Sequence, residues 1–200
     1  MTHYSEIEPQ QVQVLDIIAG VQRSKMAPLS LAGGSITFKL GTVERPTICP
    51  FHPTPYPGSD SQTRLNMLLQ LEPDAGAWID RLEATVLEQL EATPERWGIK
   101  AAALRHTWHA STKDARGARC LRVKVNVANP NVVRCWLPDG RPTPVPDNLE
   151  GAAVCATVRA RHVWFTPGAC GLLFELTDLL LVRESHGSRS PWSVLAPPQT

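Results

Sequence analysis

Residues 150–183, EGAAVCATVRARHVWFTPGACGLLFELTDLLLVR, decide the architecture. In the first arm, Ala152 to Phe165, the residues Val154, Ala156, Val158 and Ala160 alternate with Cys155, Thr157, Arg159 and Arg161. A period of two marks a strand with one buried face. Thr166-Pro167-Gly168 is a tight turn, and Cys170 to Val182 returns as a second strand. The polar face of the first arm carries two arginines leading to His162, Trp164 and Phe165. Cations beside aromatics on an exposed sheet face suit a single-stranded nucleic acid, with charge for phosphates and flat rings for bases.

Upstream of this hairpin the sequence keeps the same character. Leu121, Val123, Val125 and Val127 alternate with Arg122, Lys124 and Asn126. Asn129-Pro130-Asn131 is expected to turn the chain, and Val132 to Leu137 to return it. Pro138-Asp139-Gly140 is a turn, because proline presets φ and glycine accepts a positive one. Neighbouring strands of the second half are expected to be antiparallel.

The first half holds the clearest helix. Asp74 is a candidate N-cap. Trp78, Leu82, Thr85, Val86 and Leu90 recur at spacings of three and four, while Asp80, Glu83, Glu88 and Glu91 are expected to face solvent. Thr93-Pro94 stops it. Before the helix, Ser35–Leu40 reads as a strand and 42–49 as a second one broken at Pro46. Pro50 to Gly58, PFHPTPYPG, has four prolines in nine residues, which excludes helix or central strand and predicts an exposed loop. Arg64–Leu71 fits a strand or the start of a helix. Ile99–Trp108 fits a short strand or helix, and 113–117 a polar turn.

These elements predict a mainly β chain with one principal helix (α+β). The expected form is an OB-like small β-barrel, with a two-layer α+β sandwich as the alternative. Residues 31–184 would form this nucleic-acid-binding domain. Residues 1–30 would be a peripheral N-terminal segment, either a short amphipathic helix or an edge strand. Residues 185–200, rich in Ser, Pro and Gly, would be a flexible C-terminal tail.

Composition narrows the class. Of 200 residues, 42% are apolar and 20% charged, which is ordinary for a soluble globular chain. No apolar run reaches the roughly 18 residues that span a bilayer, and the polar, acidic N-terminus does not resemble a secretory signal. Five cysteines, four of them spread about one per predicted strand, fit reduced packing residues rather than a disulfide framework. An intracellular protein is expected. The net charge of +1 conceals a split: residues 1–99 hold 7 Lys/Arg against 12 Asp/Glu, and residues 100–200 hold 13 against 7. That split predicts a basic working surface in the second half.

The candidate binding set is Arg122 and Lys124 on one strand, Arg134 and Trp136 on the next, and Arg159, Arg161, Trp164 and Phe165 on the hairpin, with Lys39 from the first half. The competing reading is structural. Sheet faces carry Arg and Lys for solubility, and tryptophans are highly buried on average.

The order RCLRVKVNV, VVRCWLPDG, then LEGAAVCATVRARHVWFTPGACGLLFELTDLLLV resembles the C-terminal half of OB-fold single-stranded DNA-binding proteins. It is most similar to those of large DNA viruses of algae and other eukaryotes. Leu149-Glu150-Gly151, Val163-Trp164-Phe165 and Gly171-Leu172-Leu173 fit successive steps of that pattern. In the first half only Phe38-Lys39 and the helix match in kind. The resemblance implies sequence-independent binding of single-stranded DNA, with RNA as the alternative strand, in replication, recombination or repair. It also implies replication or repair proteins as partners and a nuclear or replication-site location. It points to Arg122, Lys124, Trp136, Arg159, Arg161 and Trp164.

Other chemistries find less support. A module presenting the proline-rich loop to an aromatic groove is the alternative function. Cys49-x-x-His52 and His106-x-x-His109 have zinc-like spacing, but each pair alone is a common chance match, so no metal or other cofactor is expected. Glu175 and Asp178, three apart on a strand, are expected to face opposite ways. No nucleophile elbow, phosphate loop or His-Glu-x-x-His helix is present, so a non-catalytic protein is expected.

Overall fold

The structure, a computed structural model, describes residues 2–20, 24–55, 63–97, 101–128, 132–146 and 148–183. The expected Asn129–Asn131 turn, the end of the proline-rich stretch and the C-terminal tail lie outside them. The principal elements are β1 (Lys25–Leu31), β2 (Ile36–Leu40), β3 (Arg64–Gln70), α1 (Pro73–Ala92), β4 (Ala118–Asn126), β5 (Arg134–Trp136), β6 (Ala153–Thr166) and β7 (Ala169–Arg183). The chain is mainly β with one principal helix, as expected. The hydrogen-bonded path runs β2–β6–β7–β4–β3, with short strands at its ends, and leaves the sheet open where a closed OB-like barrel was expected. No helix among the described residues is long and apolar enough to cross a membrane.

The long hairpin is the spine. β6 pairs antiparallel with β7 along its whole length, with β2 through Ala156–Ala160, and with β1 through His162–Phe165. The second half is not antiparallel throughout. β4 runs parallel to β7, with Lys124 beside Glu175, and β5 also runs parallel to it, with Arg134 beside Asp178. β5 therefore resumes the direction of β4 further along β7 instead of folding back on it. A bond from Val133 N to Asn126 O at 2.8 Å joins the two segments.

One face of the sheet is apolar and carries the helix. Ile36, Phe38, Leu40, Met67, Leu69, Leu121, Val123, Val125, Val158, Val163, Phe174 and Leu176 are buried on it. Trp78 of α1 meets Phe38 edge-on at 4.8 Å, and Phe38 meets Phe174 at 6.2 Å. Each such ring contributes roughly 1.5–3 kcal/mol by burial. Asp74 is not the N-cap: α1 starts at Pro73, with Glu72 in the cap position and Asp74 in the first turn. Proline suits that first position because its missing N–H would have no helical partner. Glu83 does not face solvent either. It is buried, accepts bonds from Ser111 N (2.7 Å) and Ser111 Oγ (2.6 Å), and burial raises its pKa.

The N-terminal segment joins the core rather than lying at its periphery. Tyr4, Ile7, Val12 and Val14 are buried, and Trp78 Nε1 donates to Ile7 O at 2.8 Å. The Gln89 side chain bonds Val14 N and Val12 O, tying strand Val12–Val14 to α1. Of the stretch 99–108, the described part is a short helix, Ala101–Thr107, leading to strand Trp108–His109. The expected turn at 113–117 is largely strand: Thr112–Ala115 pairs with β4 as a hairpin. The proline-rich stretch is fastened where it is described, because Pro53 is buried and Thr54–Pro55 pairs with β3.

Candidate nucleic-acid interface

The face of the sheet away from α1 gathers the expected binding residues, and a break in strand alternation is what completes it. On β6, Thr157 and Arg159 point to this face, opposite Asp178 and Glu175 of β7. Strict alternation would continue through Arg161 to Val163 and Phe165, leaving Trp164 in the core. The register instead slips between Ala160 and His162, so Arg161 is an extra residue with no partner of its own on β7. Such a bulge returns the next residue to the face it had left. His162 and Trp164 therefore join Arg159 and Arg161 on the outer face, while Val163 and Phe165 turn inward.

Phe165 is the member of the set that the structure removes. It is 6% exposed and packs in the core, because the bulge reverses its side. The other eight share the outer face. Lys39 lies opposite Thr157, Arg122 and Lys124 alternate outward on β4, Lys124 lies beside Glu175, and Arg134 and Trp136 lie beside Asp178 and Leu180. Trp136 and Trp164 are half-buried, neither fully core nor fully exposed.

A second slip, between Thr157 and Val158, places an extra residue on β7 at Thr177. Glu175 and Asp178 consequently point to the same face, against the expectation for residues three apart. Both serve as counterions. Glu175, 3% exposed, takes Arg161 Nη1 at 3.0 Å and a bond from Asn126 Nδ2. Asp178 takes Arg134 through Nε at 2.7 Å and Nη2 at 2.8 Å, a bidentate pair of fixed geometry.

The cations consequently differ in what they offer. Arg134 and Arg161 are already paired. Arg122 Nη2 donates to Ala110 O at 2.8 Å, which fixes its direction without neutralising it. Arg159 is half-buried, and its Nε is shielded from solvent with no hydrogen-bond partner among the described residues. A buried donor left without an acceptor is costly, so an arriving anion would relieve it. Burial pushes Lys124 down to about 8, and burial together with neighbouring Arg161 pushes His162 down to about 4, so His162 is neutral at pH 7.

Periodicity missed three contributors: Ile18, Met26 and His109. Ile18 lies opposite Met26, Met26 opposite Trp164, Trp164 opposite Gly171, and Gly171 beside His109. The signals were weak, since Ile18 and His109 each sit in strands of two residues.

The zinc-like pairs do not assemble. Cys49 is buried with its thiol pushed up to about 12, whereas His52, His106 and His109 are exposed. Among the described residues no group of three or more His, Cys, Asp or Glu is placed to hold a metal ion. A cleft of about 550 Å³ lies elsewhere, between the N-terminal segment and the start of α1, where Arg45 and Arg81 mix with Glu72 and Asp74. That mixture does not suit a polyanion.

No family model matches the sequence. No curated protein matches it either. Among solved structures, the chain is similar to the single-stranded DNA-binding protein of bacteriophage Enc34 in complex with single-stranded DNA. Identity is 14%, 85% of this chain and 95% of that one are covered, and the TM-score is 0.49. It is also similar to gp2.5, a single-stranded DNA-binding protein encoded by bacteriophage T7. There identity is 12%, coverage 84% and 98%, and the TM-score 0.47.

Proposed function

We propose that this protein binds single-stranded DNA without catalysis and largely without regard to sequence. One observation carries the reading: Lys39, Arg122, Lys124, Arg134, Trp136, Arg159, Arg161 and Trp164, drawn from four strands, share the sheet face away from the helix. Cations along such a face grip phosphates, and half-buried indoles offer stacking surfaces that accept any base. Replication, recombination or repair inside the cell, at the nucleus or a site of DNA synthesis, is the setting in which such strands are exposed. Replication or repair proteins would be its partners there. The further resemblance to proteins of large eukaryotic DNA viruses rests on the C-terminal sequence pattern.

Titration of a fluorescent oligo-dT at several salt concentrations tests the proposal. Affinity should fall linearly on a log–log plot, with a slope of about −0.7 per phosphate contacted. Absence of binding at low salt, or binding indifferent to salt, would refute it. Competition by RNA and by duplex of equal length measures the preference for single-stranded DNA.

A further inference from the structure

Beyond the cations, the outer face has an apolar end that they do not explain. Five strands contribute to one transverse row. Strand Ile18–Ala19 supplies Ile18, β1 supplies Met26, β6 supplies Trp164, β7 supplies Gly171, and strand Trp108–His109 supplies His109. Neighbouring strands lie about 4.8 Å apart, so the row is continuous.

Its middle is shaped by an absence of side chain. A Cβ on Gly171 would stand 3.1 Å from the Trp164 ring and 2.6 Å from His109 O. The indole therefore lies over the bare backbone of Gly171 and reaches towards β7's other neighbour. There the His109 ring stands 5.9 Å from it, tilted by 41°. Ile18, 50% exposed, and the half-buried Met26 extend the surface on the opposite side. A cation sits at the margin: Arg122 is tethered to the carbonyl of Ala110, the residue after His109. Rings, a thioether and an aliphatic side chain, with an arginine beside them, match one nucleotide: a base for the shelf and a phosphate for the guanidinium.

We propose that Trp164, His109, Met26 and Ile18 form a nucleobase shelf at one end of the interface, with Arg122 taking the adjoining phosphate. The proposal rests on the single-stranded DNA reading and adds to it the residues that would hold a base against Trp164: His109, Met26 and Ile18.

The test compares oligo-dT with an oligonucleotide of the same length made of abasic sites, at fixed salt. Both are titrated against the full chain and against His109→Ala and Met26→Ala, two changes at positions that do not fill the core. Each variant should bind oligo-dT about fivefold or more weakly and bind the abasic strand as the parent does. Arg122→Ala should weaken both ligands alike and make the salt slope shallower. Equal weakening of both ligands by His109→Ala and Met26→Ala, or no weakening of either, overturns the shelf while leaving the phosphate-binding face standing. A parent protein that binds neither strand overturns both readings together.

Discussion

At the scale of single residues, the two ends of the Arg159–Phe165 segment make opposite demands. Arg159 has an unpartnered, shielded Nε in the middle of the cation face, whereas Phe165 is core. Arg159→Met keeps much of the aliphatic stem and removes the charge. It should make the salt slope shallower by about 0.7 and weaken oligo-dT binding, with thermal stability nearly unchanged. Phe165→Ala should cost about 3–5 kcal/mol in denaturant unfolding. Where that variant still folds, the salt slope should stay as it was. A shallower slope for Phe165→Ala in folded protein would put its ring back on the binding face. Residue types and spacing alone put Arg122, Lys124 and Arg159 on the polar faces of their strands, because they alternate with apolar neighbours. They could not show which cations are already neutralised. Glu175 and Asp178 are far from Arg161 and Arg134 in sequence and meet them only through β7 pairing.

At the scale of elements, the hairpin at 150–183 was legible as two strands and a turn, but its sidedness was not. Alternation is counted from sequence as if no residue were ever extra, and the three register slips of the hairpin, at Ala153/Val154, Thr157/Val158 and Ala160/His162, violate that count. The same limitation hid the parallel pairing of β4 and β5, since strand patterns state which face is buried and not which direction a neighbour runs. α1 was legible because its apolar spacing is local, although Glu83 escaped through its tertiary partner Ser111. The junction of β6, β7 and strand Trp108–His109 provides an element-scale test. Gly171→Ala would bring a methyl group within 2.6 Å of the His109 carbonyl, a backbone atom that cannot swing aside. Overpacking of this kind typically costs about 1–3 kcal/mol. The expected outcome is a lower unfolding midpoint together with weaker binding of oligo-dT, because strand Trp108–His109 and the Trp164 ring must both move. An unchanged midpoint would mean that the strands are not in contact there.

At the scale of the whole molecule, charge is segregated across the sheet. The acidic residues of α1 stay on the helix side, where Asp80 pairs with Arg119 and Glu91 with Arg105, while on the outer face Glu175 and Asp178 are outnumbered by Lys39, Arg122, Lys124, Arg134, Arg159 and Arg161. A nearly neutral chain can attract a polyanion only through such separation, and the −5 and +6 of the two sequence halves foreshadowed it. Lys124 reports on this field because burial places its pKa at about 8, where most lysines stay charged. In the unfolded chain a lysine titrates near 10.4, so between about pH 8 and pH 10.4 the unfolded state binds more protons. Stability contributed by this residue therefore rises with pH across that window. Binding has the opposite sign. Phosphates favour the charged amine, so above pH 8 the protein must take up a proton to engage DNA. Between pH 7 and pH 9 at constant salt, oligo-dT affinity should fall by about tenfold through this group. Lys124→Arg, which stays charged throughout, should flatten that part of the profile while keeping the salt slope. If anisotropy titrations give parent and variant the same pH dependence, Lys124 does not contact the phosphates, and the grip must come from Lys39 and the arginines.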